Sequence, residues 1–281
     1  MKSKCQRTFI AVASFLAFSS VAQAGCLDAP EPCRIPLGEY HIALPDIPTE
    51  GTLPVVVFLH GFGSHGGNSI GNRRLVNPIL ERGYAMIAPS GMPRRNGGGS
   101  SWVFHPKQEQ RRDELEFINA VLDDAVQKHG LDRSRVLLAG FSEGAFMTSY
   151  LACRAPDAFA GFAPLAGGFW RPHPETCAGP VRLFQTHGWT DGTVPLEGRP
   201  LGGGYYLQGD IFQTLQIWRD ANSCDQMRAD ERSTEGTYWR RKWTHCASDS
   251  ALEFAMHPGG HILPKGWADM TLNWFEALPE Q

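Results

Sequence analysis

Arg135-Val136-Leu137-Leu138-Ala139-Gly140-Phe141-Ser142-Glu143-Gly144-Ala145-Phe146-Met147 changes its hydrophobic period part-way along. Val136 to Ala139 is an unbroken apolar run of strand length, whereas Gly144 to Leu151 places apolar residues at helical spacing, so the turn between them falls at Ser142. A sharp strand-to-helix turn exposes the hydroxyl at its apex, and side chains at Gly140 or Gly144 would collide with the neighbouring strand and helix. The bare G-x-S-x-G pattern is weak in a chain with 31 glycines; the strand before it and the helix after it give it weight. The plain alternative is a helix N-cap serine, a role that asks for glycine on neither side.

The beginning of the chain constrains its compartment. Lys2, Lys4 and Arg7 precede an apolar run from Phe9 to Phe18, and Ala22-Gln23-Ala24 follows as a small-x-small cleavage site. That order is a secretory signal peptide over residues 1–24, leaving a single domain over 25–281. The alternatives are an uncleaved anchor, for which the apolar run is too short, and lipoprotein processing at Cys26, where Gln23 stands in place of an aliphatic residue. Secretion or a periplasmic location is expected, without stable membrane insertion. Lys plus Arg total 26 against 29 for Asp plus Glu, and a net charge of -3 gives no general attraction to nucleic acid. A neutral or mildly polar partner is therefore expected, and the oligomeric state is open.

Without Cys5, the cysteines of an exported chain are Cys26, Cys33, Cys153, Cys177, Cys224 and Cys246. An even set in an oxidising compartment reads as disulfides, and sequence neighbours suggest Cys26 with Cys33, Cys153 with Cys177 and Cys224 with Cys246. A zinc site is disfavoured because there is no C-x-x-C pair. No metal and no cofactor are expected.

Taken in order, the chain alternates strand and helix signals. Tyr40 to Leu44 reads as an edge strand, Val55 to Leu59 as a strand buried on both faces, Asn68 to Arg82 as a helix, and Tyr84 to Pro89 as another strand. Ser90 to Pro106 is long, glycine-rich and aromatic, and reads as a loop that carries substrate contacts. A helix opens at Asp113 and ends at Gly130. Strands follow at Phe159 to Leu165 and Val181 to Thr186, a helix at Asp210 to Ala221, an inserted extended segment at Tyr238 to Thr244, a strand at Ala251 to Met256, and a closing helix at Trp267 to Leu278. Such alternation implies an α/β class with a mostly parallel central sheet and helices on both faces. Sites in these sheets lie at the carboxyl ends of the strands, and Phe62, Ser142, Asp191 and His261 each come just after a strand.

The order serine, acid, histidine is that of α/β-hydrolases. His60-Gly61-Phe62-Gly63, Gly140-Phe141-Ser142-Glu143-Gly144, Ala163-Pro164-Leu165-Ala166-Gly167-Gly168, His187-Gly188-Trp189-Thr190-Asp191, Asn222-Ser223-Cys224 and Gly259-Gly260-His261 together resemble the secreted polyhydroxybutyrate depolymerase and feruloyl esterase group of α/β-hydrolases, from about Cys33 to Glu276. The chain departs from that group's pattern at Glu143, at Trp189 and at Ile262-Leu263-Pro264.

The resemblance implies the α/β-hydrolase fold and hydrolysis of a small-molecule or polymeric ester through an acyl-enzyme. Ser142 is then the nucleophile, His261 the base and Asp191 the residue that orients the imidazole, with the backbone N–H groups of Phe62 and Glu143 as the oxyanion hole. Trp102 and Trp189, with Phe104, are candidate substrate walls. For Asp191 the rival is a turn aspartate before Gly192, with Glu197 and Asp210 as substitutes; for His261 it is His257. His60 is read as a support for its turn, and its glycine-rich loop lacks the Lys of a phosphate-binding loop. Competing functions are an exported general carboxylesterase or serine peptidase of the same fold, and a catalytically silent binding protein.

Overall fold

The computed structural model describes Cys26 and residues 31–46 and 51–279; the expected signal peptide lies outside the described residues. The chain opens with β1 (Cys33–Ile35), β2 (Gly38–Ala43) and β3 (Leu53–Leu59), then α1 (Gly66–Ile70), α2 (Arg73–Glu81) and β4 (Ala85–Pro89). Two short strands, β5 (Met92–Pro93) and β6 (Ser100–Ser101), precede α3 (Glu114–His129), β7 (Leu131–Phe141), α4 (Glu143–Arg154), β8 (Gly161–Leu165) and β9 (Arg182–Gly188). The remainder comprises β10 (Pro200–Leu201), β11 (Tyr206–Leu207), α5 (Ile211–Ala221), β12 (Glu231–Glu235), β13 (Tyr238–Trp243), β14 (Ala251–His257) and α6 (Trp267–Glu276).

A 10-stranded sheet in the order β1-β2-β4-β3-β7-β8-β9-β14-β13-β12 forms the centre. From β4 through β14 neighbouring strands are parallel, and the antiparallel pairs lie at the two margins. Successive side chains of a strand point to opposite faces, and β3 shows what that does here. Val55, Val57 and Leu59 join the core packed by Phe117, Ile118 and Val121 of α3, Leu151 of α4 and Trp218 of α5. Val56 and Phe58 join the other core, with Leu75 and Ile79 of α2 and Trp267 and Trp274 of α6. The strand's uniform apolarity is thus the mark of a sheet covered on both faces.

Local chemistry bounds α3 and starts α5 where the spacing predicts. Asp113 caps α3 by accepting from the N–H groups of Leu115 and Glu116, and Gly130 ends it in the left-handed region. Asp210 caps α5 through the N–H of Gln213.

The structure corrects the sequence reading in four places. The helix expected over Asn68 to Arg82 is two helices, because Asn72 leaves the helical region and its side chain caps α2 through the N–H of Arg74. The 90–106 loop contains the β5–β6 hairpin, with Gly97, Gly98 and Gly99 all at positive φ between the strands. The edge strand β2 has β1 outside it, paired antiparallel through Cys33 to Ile35, and the Cys26–Cys33 disulfide ties Cys26 to that strand. The segment over Tyr238 to Thr244 is a member of the main sheet, since β13 pairs with β14 and brings β12 with it.

The other disulfides join Cys153 with Cys177 and Cys224 with Cys246. The latter ties the end of α5 to the segment after β13 across a separation of 22 residues. Closing a loop of that size stabilises by about 3 kcal/mol in the chain-entropy picture. Replacing Cys224 and Cys246 together by serine should therefore lower Tm by roughly 5–10 °C in calorimetry; an unchanged Tm would show that this link contributes nothing to stability.

Candidate active site

Four strand ends of the parallel region build the site. β7 runs straight into Ser142, which has φ 57° and ψ -118°, a conformation that L-residues rarely adopt and that costs on the order of 1–3 kcal/mol. Backbone contact holds it there. A Cβ added to Gly140 would lie 2.3 Å from the carbonyl oxygen of Gly144, and one added to Gly144 would lie 2.1 Å from that of Leu59. Helix α4 is therefore pressed against β3 with no room for a side chain between them. Ser142 N–H donates to Leu165 O at 3.0 Å, and Ser142 O accepts from Ala145 and Phe146, so both sides of the turn are tied down.

Asp191 follows β9 in a turn of its own making. Oδ1 accepts from the N–H groups of Thr193 and Val194 at 2.9 and 2.8 Å, which leaves Oδ2 free for His261 Nδ1 at 2.8 Å. The Asp191 side chain is fully buried. Burial pushes its carboxyl up, but the His261 hydrogen bond, the Val194 N–H and the neighbouring imidazoles outweigh this and hold it below the usual carboxylate range. Asp191 is ionised at neutral pH, and His261 carries its proton on Nδ1 toward it.

Two further histidines stand nearby and do different work. His187 Nε2 lies 3.7 Å from Asp191 Oδ2, yet it bonds to Val194 O at 2.8 Å, and complete burial keeps the ring neutral. His257 Nδ1 accepts from Gly259 N–H at 3.1 Å, and burial lowers its affinity for a proton as well. His261 is thus the imidazole bound to Asp191, and His257 is turned into its own loop.

His261 and Ser142 line one cleft of about 860 Å³, together with Phe62, Ser69, Asn72 and Ile262. Among the hydrogen bonds of the described residues there is none between the Ser142 and His261 side chains; the His261 ring instead lies on Phe141, with ring centroids 4.7 Å apart. Such contacts are commonly loose before substrate binds.

Ser142 also borders a second cavity of about 440 Å³, walled by Glu143, Phe104, Phe146, Trp170 and Tyr206. Glu143 heads α4, so its N–H is one of the first-turn donors without a carbonyl partner inside the helix. Phe62 borders both cavities, and a Cβ on Gly61 beside it would lie 3.3 Å from Ser142 Cβ.

His60 supports this loop. Its Nδ1 bonds to Gly61 O at 2.8 Å while Nε2 accepts from Gly91 N–H at 2.9 Å, and burial, offset in part by the Gly61 bond, lowers it to about 4. The ring is a neutral brace.

Two residues expected to wall the substrate stand elsewhere. Trp102 is fully buried, its ring tilted against that of His60 and its indole N–H donating to His60 O at 2.8 Å, so it belongs to the core beneath the site. Trp189 is exposed and borders neither cavity. Sequence reasoning passed over Phe146, Trp170 and Tyr206. Phe146 sits on the helix after the serine, and Trp170 follows β8, so the strand-end rule applied to Ala166-Gly167-Gly168-Phe169-Trp170 would have found the latter.

Among the described residues, no group of three or more His, Cys, Asp or Glu is placed to hold a metal ion, and no helix is long and apolar enough to cross a membrane.

The chain is similar to known proteins over most of its length. It is 28% identical over 191 residues to poly(3-hydroxyalkanoate) depolymerase C of Paucimonas lemoignei, covering 64% of this chain and 43% of that protein. It is 30% identical over 165 residues to feruloyl esterase B of Thermothelomyces thermophilus, covering 56% of this chain and 55% of that one. The chain thus spans about half the length of these relatives. Among solved structures, the acetyl xylan esterase from Aspergillus awamori superposes with a TM-score of 0.64 over 92% of this chain and 99% of the other at 16% identity, a likeness of fold. The family described as Phospholipase/Carboxylesterase matches residues 46–207, more than half of the 281, and the chain belongs to that family of the α/β-hydrolase fold.

Proposed function

We propose that this protein is an exported serine ester hydrolase, with residues 1–24 as the export signal and one catalytic domain over 25–281. The observation that carries the reading is the Asp191–His261 hydrogen bond, at 2.8 Å, opening on the cleft that holds the strained Ser142. A hydroxyl is a weak nucleophile until a base takes its proton. In this reading His261 Nε2 takes the Ser142 proton as Oγ bonds to the ester carbonyl carbon, and Asp191 stabilises the imidazolium that forms. The carbonyl oxygen becomes an oxyanion held by the N–H groups of Phe62 and Glu143. His261 then gives its proton to the departing alcohol, leaving an acyl-enzyme that water hydrolyses by the same steps in reverse order.

The aromatic cavity beside Glu143 suits the acyl group, and the cleft beside Ser69 and Asn72 suits the alcohol. The similarity to a poly(3-hydroxyalkanoate) depolymerase and a feruloyl esterase supports hydroxyalkanoate or aromatic acyl esters as the substrate class. The three disulfides support a destination outside the reducing cytosol.

Ser142→Ala should lower hydrolysis of p-nitrophenyl butyrate by at least about 10⁴-fold with Tm preserved; equal rates in the two proteins, or no turnover by wild type of that ester, hydroxybutyrate oligomers or methyl ferulate, would refute the reading. Asp191→Asn should reduce kcat by roughly 10³–10⁴-fold and His257→Ala by less than about tenfold, since only Asp191 touches the base. The reverse order of severity would assign the acid and base wrongly.

A further inference from the structure

The side chain of Glu143 has contacts that its amide role does not use. Ser101 Oγ–H donates to Oε1 at 2.6 Å, and Trp102 N–H approaches Oε2 at 3.4 Å. These two residues belong to the segment that starts in β6 and continues beyond it, and that segment is itself bonded to the loop after β3. Gly63 N–H donates to Ser100 O at 2.9 Å, Ser100 N–H to Ser64 O at 3.0 Å, and the Trp102 indole N–H to His60 O at 2.8 Å. A Cβ on Gly99 would lie 1.9 Å from Gly63 O, so the two backbones are in contact. Phe62 lies within this His60–Ser64 loop. The Glu143 carboxyl is therefore linked to both flanks of Phe62, through Ser101 and its backbone neighbour Ser100, which pairs with Gly63 and Ser64, and through Trp102, which bonds to His60.

The two N–H donors assigned to the oxyanion belong to separate elements, the first residue of α4 and the loop after β3. Nothing within either element sets their spacing. We propose that the Glu143 side chain is a positioning residue that braces the Phe62 amide against its own amide by way of Ser101 and Trp102, a role that rests on the serine-hydrolase reading above. Burial pushes this carboxyl up to about 7, with Ser101, Trp102 and Arg94 drawing it down and Glu114 raising it. A small apolar side chain at this position would carry no such desolvation cost. Either protonation state can accept from Ser101, so the brace needs an oxygen at Oε1 and does not need a charge.

The rival role is a wall of the aromatic cavity, which Glu143 and Ser101 also border. Kinetics on p-nitrophenyl butyrate and inhibition by 1-butaneboronic acid, whose tetrahedral serine adduct mimics the oxyanion, separate the two. Glu143→Ala should lower kcat roughly 10–100-fold with KM within about threefold, and should weaken the boronate by the same factor as kcat. Glu143→Gln should recover at least about tenfold of that kcat loss. Ser101→Ala should reproduce part of the loss, and Glu143→Ala/Ser101→Ala should be no worse than Glu143→Ala alone, because both act on one path.

A raised KM with unchanged kcat and boronate affinity would make Glu143 a cavity wall and overturn the proposal. So would losses that multiply in the double variant, or a glutamine as impaired as the alanine. If Glu143→Ala does not fold, the boronate affinity of Ser101→Ala still decides, an unchanged value overturning the brace. An inactive wild type would instead strike the ester-hydrolase reading.

Discussion

Backbone contact between α4 and β3 is the constraint on which the site depends. With 2.1 Å between the Leu59 carbonyl oxygen and the place where a Gly144 Cβ would stand, the helix can approach the sheet only because that residue has no side chain. The same closeness at Gly140 leaves the chain one way round the corner, through a positive φ at Ser142. Strain at one serine is thus sustained by packing over two cores. Phe58 is anchored on one face and Val57 and Leu59 on the other, so β3 cannot yield to relieve it.

Around that fixed point the polar groups are divided by burial. Asp191 is wholly buried but spends three hydrogen bonds on remaining charged. His187 and His60 are buried without a bonded carboxylate and remain neutral, one holding the Val194 carbonyl and the other the Gly61 carbonyl. His261 alone combines a bonded carboxylate with a face on the open cleft. Four histidines at one sheet edge therefore take separate roles, and their partners decide which.

Much of this could be read before any coordinates, and the reason differs from residue to residue. Val55 to Leu59 and Val136 to Ala139 carry no polar position, which only a sheet covered on both faces tolerates, so the parallel centre was legible. Ser142, Asp191 and His261 were legible as strand-end residues, since each stands shortly after a strand that the sequence signals, β7, β9 and β14. The break at Asn72 was missed because the inward residues that signal a helix, Leu75, Ile79 and Leu80, all lie after it, and a side-chain cap leaves no hydrophobic signal. Glu231 to Glu235 was missed as a strand because all its residues are exposed; it is held by pairing with β13 and buries no face. Trp102 was misplaced for a related reason. An aromatic in a glycine-rich loop looks the same in sequence whether its indole meets substrate or the carbonyl of His60.

The central claim is that packing makes one serine among many chemically exceptional. Incubation with a fluorophosphonate, followed by intact mass measurement and peptide mapping, tests it directly. The account predicts one equivalent of adduct, all of it on Ser142, and loss of labelling when His261 is replaced by alanine. An unlabelled protein, an adduct on a different serine, or labelling of Ser142 that is indifferent to His261 would contradict it.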